Sequence, residues 1–248
     1  MNRIALITGG AGGIGSAIAL KLAQENYDIV INYFSSEKKA NELKEKIINE
    51  YKVRCLAIKA DVSKEDEVET MVEKIEEELG YVDILINNAA IDLPNLYSRK
   101  TAEEFRRVLD VNVVGAYNCA DRLCRHMIEN KFGRIVNIAS TNGINTYYPM
   151  CFDYDASKAA LISLTHNMAV QYAPHVNVNA IAPGFIGTEK ELEGYDEEFL
   201  KQETEKILVN RYGEPEEVAE LVSFLVSDKA DYINNTVIRI DGGQLNSN

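Results

Sequence analysis

The chain has 248 residues, 46% of them hydrophobic, so it can bury a sizeable core as one large α/β domain or two smaller ones. Its formal net charge of −13 argues against nucleic acid or an anionic membrane as the main partner, because both are bound by basic surfaces. No apolar run approaches the roughly 18 residues that a membrane-spanning helix needs.

The cysteines and the first residues of the chain indicate a cytoplasmic protein. The four cysteines contain no CxxC pair and are too few for a disulfide framework. Residues 3–8 already have the pattern of a strand, so we expect no signal or transit peptide. The three histidines are scattered, without partners at the spacing of metal ligands, and we expect no metal site.

Strand-like and helix-like segments alternate along nearly the whole chain. Apolar strand patterns occupy residues 4–8, 29–33, 53–59, 82–87, 134–139, 176–181 and 236–240. Amphipathic segments occupy about 14–25, 37–50, 64–79, 101–129, 153–171 and 214–227. Continuously apolar strands separated by helices are typical of a parallel sheet covered on both faces. We therefore predict a single doubly wound, Rossmann-type α/β domain over residues 1–248, interrupted by an acidic stretch at 184–211 that is the candidate substrate lid.

A glycine-rich turn, TGGAGGIG at residues 8–15, follows the first predicted strand and opens the first predicted helix. Glycines let backbone N–H groups approach a pyrophosphate, and the N-terminus of a helix favours negative charge. This strand–turn–helix context predicts a dinucleotide site. The candidate residues of this turn are Gly9, Gly12, Gly13, Ile14 and Gly15.

Tyr154 and Lys158 form a Tyr-x-x-x-Lys pair at the start of the helix after the 134–139 strand. The spacing alone is weak, since about one such pair is expected by chance among 13 tyrosines. The position of the pair is more informative, because it lies at the carboxyl edge of the predicted sheet, where doubly wound folds bind ligands. An ammonium near a phenol would lower the pKa of the tyrosine, and Tyr154 could then exchange a proton with a carbonyl or an alcohol oxygen.

These motifs together resemble the short-chain dehydrogenase/reductase family, whose glycine pattern is T-G-x-x-x-G-x-G, and the resemblance covers essentially the whole chain. It implies a nicotinamide cofactor. The resemblance also implies that four groups of residues bind this cofactor. Asp61 and Val62 would lie on its adenine side, and Asn88, Ala89 and Ala90 would contact it after the fourth strand. Pro183, Gly184, Ile186 and Thr188 would lie near the nicotinamide, together with Tyr154 and Lys158. Ala90 stands where the family usually has glycine.

The same resemblance implies two further catalytic residues. Ser140 would hold the substrate oxygen beside Tyr154, but its spacing to Tyr154 is one position longer than usual, and Thr141 would restore the usual spacing. Asn112 matches a helix asparagine that holds a water leading to the lysine; alternatively, it is an asparagine at a helix bend with a satisfied side chain.

The end of the second predicted strand favours NADP(H) over NAD(H). NAD enzymes commonly place a carboxylate there, to bind the ribose 2′-hydroxyl, whereas this chain has Tyr33. Ser35 and Ser36 follow, and Lys38 and Lys39 are either phosphate ligands or solvated residues at the start of a helix. Against NADP, the glycine turn lacks the basic residue that many NADP members carry.

Within the family the chain is most similar to bacterial 3-oxoacyl-acyl-carrier-protein reductases, which implies reduction of a 3-oxoacyl thioester. Its acidity and the loss of one docking arginine, where residues 173–175 read APH, depart from that branch, although Lys131 matches the other docking arginine. The aromatic run at 146–152 either narrows the pocket for a compact, cyclic or steroid-like substrate or packs a subunit interface. The family implies a homotetramer, and the competing class is a non-catalytic dinucleotide sensor.

Overall fold

A computed structural model describes residues 2–148, 150–194 and 196–245. Its centre is a seven-stranded parallel sheet in the order β3-β2-β1-β4-β5-β6-β7. The strands are β1 (Ile4–Ile7), β2 (Asp28–Tyr33), β3 (Cys55–Lys59), β4 (Ile84–Asn87), β5 (Gly133–Ile138), β6 (Val176–Pro183) and β7 (Val237–Ile240). The predicted doubly wound sheet is confirmed, and the predicted strands differ from the observed ones by at most about two residues at an end.

Helices cover both faces of the sheet. They are α1 (Gly13–Gln24), α2 (Glu37–Tyr51), α3 (Glu65–Glu78), α4 (Ala102–Leu109), α5 (Gly115–Glu129), α6 (Phe152–Tyr172), α7 (Glu189–Gly194), α8 (Glu197–Glu205) and α9 (Pro215–Val226). One hydrophobic layer joins α1, α2 and α9 to the sheet, and the other joins α3, α5 and α6 to the opposite face. Every residue of β1, β4, β5 and β6 is buried, because both faces are covered. Among the described residues, no helix is both long and apolar enough to cross a bilayer.

The amphipathic segment predicted at 101–129 is not one regular helix. The Thr101 hydroxyl and the Glu104 carboxylate form a capping box that begins α4. A π-helical turn, Asp110–Val114, then separates α4 from α5. Such turns insert an extra residue into an α-helix without breaking its amphipathic pattern, so periodicity does not reveal them.

The stretch at 184–211 also contains regular structure, although its sequence looks irregular. The two short helices α7 and α8 lie within it. The Asp196 carboxylate accepts a hydrogen bond from the Phe199 N–H at 2.8 Å and caps α8. The segment follows β6 directly, so it begins at the carboxyl edge of the sheet.

Candidate active site

The glycine turn packs closely against the segment that follows β4. Gly9 has a φ of +61°, and a Cβ there would lie 2.9 Å from the Ala89 Cα. A Cβ on Gly15 would lie 2.6 Å from the Gly9 carbonyl oxygen. Both positions therefore require glycine. The turn and the first residues of α1, including Gly13 and Ile14, present backbone N–H groups at a helix N-terminus, which suits an anionic ligand.

Hydrogen bonds fix the turn to the carboxyl end of β4. The Thr8 hydroxyl accepts from the backbone N–H groups of Asn88 and Ala89, each at 3.0 Å. The Asn88 side-chain amide donates in return to the Thr8 and Gly9 carbonyls, at 2.9 and 3.1 Å. The next residue, Ala90, is exposed. β1 and β4 are neighbours at the point where the strand order reverses, which is the ligand crevice of doubly wound sheets.

On the predicted adenine side, Asp61 is already held by protein groups. Its carboxylate accepts from the Ser63 hydroxyl at 2.6 Å and from the Arg107 guanidinium at 3.0 Å. Burial opposes ionisation of Asp61, but the hydrogen bonds from Ser63 and Arg107 outweigh it and lower the pKa of the carboxyl. Val62 is buried against Gly115, so these two residues form a fixed wall.

The segment after β6 closes the crevice from the other side. Gly184 lies against the turn after β7, where a Cβ would be 2.5 Å from the Gln244 Oε1. Ile186 forms a β-bridge with Gly213. Thr188 reaches the glycine turn, and its Cγ2 would lie 3.4 Å from a Cβ on Gly13. Gly187 and Thr188 therefore lie beside the glycine turn, whereas Gly184 and Ile186 pack against the segments that contain Gln244 and Gly213.

The end of β2 presents hydroxyl and ammonium groups to solvent. Tyr33 itself is buried, whereas Ser35 and Ser36 are exposed. The Lys39 ammonium lies 2.8 Å from the Glu189 carboxylate of α7, and both side chains line a groove beside Gly12. No carboxylate occupies the position of Tyr33 to repel a 2′-phosphate, although Glu42 and Glu189 line the same groove as Lys39.

Tyr154 and Lys158 lie on the same face of α6, with the Lys158 Nζ 5.3 Å from the centre of the Tyr154 ring. Lys158 is buried and donates to the Ile138 carbonyl at 2.8 Å, which ties α6 to the end of β5. Burial lowers the pKa of Lys158 to about 8. Burial raises the pKa of Tyr154, and Asp92 and Glu191 raise it further. The expected lowering of the tyrosine pKa by the ammonium does not prevail, and the phenol stays protonated, the form that donates to a carbonyl.

Ser140, and not Thr141, lies beside the Tyr154 hydroxyl. The Ser140 hydroxyl is near enough to the Tyr154 hydroxyl to lower its pKa, and the Ser140 Oγ donates to the Asn142 Oδ1 at 3.2 Å and accepts from the Asn142 N–H at 3.1 Å. The extra residue in the spacing is accommodated by a short 3₁₀ turn, Thr141–Gly143. The Thr141 hydroxyl is buried and has no hydrogen-bond partner among the described residues.

Asn112 lies in the π-helical turn, next to the residue that precedes Lys158. Its side chain accepts from the Ile91 N–H at 2.8 Å and donates to the Ile91 carbonyl and the Ser157 hydroxyl, both at 3.0 Å. The side chain is therefore satisfied by protein, as in the structural alternative. It also joins the segment after β4 to α6, and π-helical turns are frequent at functional sites.

The aromatic run at 146–152 is divided between two environments. Tyr147 is 61% exposed, and Phe152 packs against Phe105 of α4 at 5.9 Å between ring centroids. Tyr148 instead contacts the 184–211 segment, because its hydroxyl donates to the Glu203 carboxylate at 2.9 Å. Sequence reasoning missed Glu203 and also Asp92, since neither belongs to a motif and only the fold brings them near Tyr148 and Tyr154.

Comparisons with known proteins agree with this geometry. Residues 9–244 match a family model described as enoyl-(acyl carrier protein) reductase. The chain is 38% identical over 247 residues to the 3-oxoacyl-(acyl-carrier-protein) reductase FabG of Staphylococcus epidermidis, covering 98% of this chain and 99% of that protein. It is 34% identical over 245 residues to glucose 1-dehydrogenase 2 of Bacillus subtilis, covering 98% of this chain and 94% of that protein.

A solved structure has the same fold. The crystal structure of the acetoin dehydrogenase YohF from Salmonella typhimurium superimposes with a TM-score of 0.88 at 35% identity, covering 98% of this chain and 96% of that one. These relatives are oxidoreductases named for different substrates. The full-length matches, together with the parallel sheet, the glycine turn and the Tyr154–Lys158 pair, show that this protein belongs to the short-chain dehydrogenase/reductase family.

Proposed function

We propose that this oxidoreductase uses NADP(H) to reduce a ketone to a secondary alcohol, with Tyr154 as the proton donor. The observation that carries the proposal is the position of the Lys158 ammonium, 5.3 Å from the Tyr154 ring and bonded to the Ile138 carbonyl at the carboxyl end of β5, with the Ser140 hydroxyl beside the tyrosine. A serine hydroxyl, a protonated phenol and a cation converge where doubly wound sheets bind their ligands.

In this proposal, each side chain has one task. Ser140 orients the carbonyl oxygen, and the Tyr154 hydroxyl donates a proton to that oxygen. Lys158 holds the nicotinamide ribose. Asn112 keeps the segment after β4 in contact with α6 next to Lys158. The bound nicotinamide would supply the hydride to the carbonyl carbon. The same groups run the reverse reaction when Tyr154 removes the proton from an alcohol.

The preference for NADP(H) is supported by the corner after β2. Ser35 and Ser36 are exposed hydroxyls, and Lys38 and Lys39 begin α2 within the same turn of chain. An ammonium placed beside hydroxyls can bind a phosphate group. Lys39 is paired with Glu189, so a 2′-phosphate would compete with that carboxylate for the ammonium.

Two substrate classes are consistent with the site. The 3-oxoacyl thioester is suggested by the name of the Staphylococcus epidermidis relative, a 3-oxoacyl-(acyl-carrier-protein) reductase. A compact ketone or hydroxyketone is suggested by Tyr148, which joins the segment before α6 to Glu203 of α8 and would limit the room for a substrate at Tyr154.

Initial rates of NADPH and NADH oxidation, with acetoacetyl-CoA and with butanedione, test the proposal. We expect faster turnover with NADPH, and we expect Tyr154→Phe to bind NADPH normally but to lose nearly all turnover. Tyr147→Phe is the matched control, since Tyr147 is exposed. Unchanged turnover in Tyr154→Phe would refute the mechanism. Cofactor binding by the unmodified protein without any turnover would favour the non-catalytic sensor.

The proposal also includes a homotetramer in the cytoplasm. Large apolar side chains are exposed on the helices expected to form the contacts: Tyr117 on α5 and Val170 on α6. The four cysteines are free, as in a reducing compartment. Light scattering on the purified protein measures the assembly.

A further inference from the structure

An aromatic contact joins the segment that leads into α6 and Tyr154 to the segment that follows β6. Tyr148 lies in the segment between Ser140 and Tyr154, whereas Phe185 follows Gly184 at the end of β6. Their rings meet edge to face, with centroids 6.2 Å apart and an interplanar angle of 87°. Tyr148 also hydrogen-bonds Asp155, the neighbour of Tyr154, so this contact lies beside the first turn of α6.

The contact continues into the 184–211 segment. Phe185 also packs against Phe199 of α8, at 6.4 Å between centroids, and against Tyr212, at 5.6 Å. The Tyr212 hydroxyl donates to the Leu200 carbonyl and fixes α8 against the same cluster. We call Tyr148, Phe185, Phe199 and Tyr212 the aromatic roof.

A buried carboxylate fixes Tyr148 in the roof. Its hydroxyl donates to the Glu203 Oε2 at 2.9 Å, and Glu203 is only 4% exposed. The Lys206 ammonium binds the other carboxylate oxygen at 2.6 Å, and the Asp155 carboxylate accepts from the Tyr148 N–H at 3.2 Å. Displacing Tyr148 would leave a buried carboxylate oxygen without its donor, which is costly.

We propose that the aromatic roof is the specificity determinant of this enzyme and restricts it to compact ketones, with no long acyl chain on either side of the carbonyl. This inference rests on the proposed ketone reduction at Tyr154. A long chain would have to pass between Tyr148 and Phe185, separating their rings and removing the donor from Glu203. A small ketone fits beneath the roof and loses no contact.

Diketones of increasing length test the roof: butanedione, hexanedione and octanedione, each with NADPH. Uniform burial of extra methylenes in an open pocket would raise kcat/KM. We expect kcat/KM of the unmodified protein to fall instead, by about tenfold or more from butanedione to octanedione. Tyr148→Ala should remove most of that discrimination by improving the longest substrate. Tyr147→Ala, a change at the exposed neighbour, should leave it unchanged.

Two further variants separate the ring from its hydroxyl. Tyr148→Phe keeps the ring but removes the bond to Glu203, so we expect partial loss of discrimination. Phe185→Leu removes the ring that contacts Tyr148 but keeps an apolar side chain of similar volume. This variant replaces Tyr148→Ala if thermal denaturation shows that the alanine variant is unfolded.

The outcomes distinguish the roof from the proposed function. The roof is not the specificity determinant if kcat/KM of the unmodified protein does not depend on diketone length. The same conclusion follows if Tyr148→Ala and Phe185→Leu leave that dependence unchanged. Either result leaves the proposed reduction at Tyr154 intact. No turnover of any ketone, with NADPH still bound, overturns the proposed function and the roof together. A kcat/KM that falls with diketone length in the unmodified protein, but not in either variant, supports the roof as the specificity determinant.

Discussion

The Lys100 ammonium lies 2.8 Å from the Asp153 carboxylate, and the two side chains are 2% and 0% exposed. Lys100 also donates to the Leu93 carbonyl, and the other Asp153 oxygen accepts from the Tyr154 N–H at 3.1 Å. This enclosed ion pair therefore connects the segment after β4 to the first turn of α6, immediately before Tyr154.

Asp153→Asn should destabilise the protein strongly. The change keeps the shape of the side chain but leaves the Lys100 ammonium buried without its counter-charge. Breaking one partner of such a pair costs about 3–5 kcal/mol of unfolding free energy, which urea denaturation measures. Asp228→Asn is the matched control, because Asp228 pairs with Arg3 at 2.7 Å on the surface. There we expect a loss of at most about 1 kcal/mol. Equal losses in the two variants would contradict a stabilising role for the buried pair.

Gly12→Arg should strengthen NADPH binding. Gly12 has an extended backbone, with φ −171°, and a Cβ there would meet nothing within 4 Å, so the substitution should cost little stability. An arginine at this position, in the groove that Lys39 lines, could make paired hydrogen bonds to a 2′-phosphate. We expect the Kd for NADPH to fall by about tenfold, as for a charge-assisted bond, while the Kd for NADH stays constant.

Gly12→Ala is the control for backbone effects in that experiment, and fluorescence titration gives both constants. Equal tightening for NADH and NADPH would mean that the arginine contacts the pyrophosphate and not the 2′ position. No change for either would place the ribose away from Gly12.

The Ser140→Ala and Thr141→Val variants should differ sharply in kcat. The Ser140 hydroxyl lies beside Tyr154, so its removal would take away a donor to the substrate oxygen, an effect of about 10²-fold or more in comparable sites. The buried Thr141 hydroxyl has no partner among the described residues, and valine has nearly its shape. Thr141→Val should therefore retain kcat within about twofold. A larger loss in Thr141→Val would transfer the substrate-orienting role to Thr141.

The sequence was sufficient for features that depend on local pattern. The fold followed from alternating apolar runs, and the turn at Gly9–Gly15 from a strand, glycines and a helix start in succession. Tyr154 and Lys158 are four positions apart on one helix, so their shared face follows from helical geometry. These relationships need no knowledge of distant contacts.

Features that depend on distant contacts were not predictable. Lys100 and Asp153 are 53 positions apart, and Tyr148 and Glu203 are 55 apart. Neither pair has a spacing that marks it, because each is made by loops that meet only once the sheet has formed. The spacing from Ser140 to Tyr154 was ambiguous for a related reason: the conformation of a loop, and not its length, decides which hydroxyl meets the phenol.

The affinity for NADPH should weaken as the pH rises above about 8. Burial lowers the pKa of Lys158 to about 8, so the free protein holds the ammonium form below that pH and loses it above. Hydrogen bonds to the cofactor ribose and the nearby phosphate charges would favour the charged form and raise the pKa of Lys158 in the complex. Binding above pH 8 must therefore take up a proton, and by linkage the Kd rises with pH in that range.

Fluorescence titration from about pH 6.5 to about pH 9.5 should show a flat Kd at the acidic end and a rise of at most about tenfold per pH unit at the alkaline end. Lys158→Met should bind NADPH more weakly at pH 7 and lose the alkaline rise, because it has no ammonium to titrate. Lys46→Met, a change at an exposed position of α2, should keep the rise. If the alkaline rise persists in Lys158→Met, another group takes up the proton, and Lys158 is charged throughout the range.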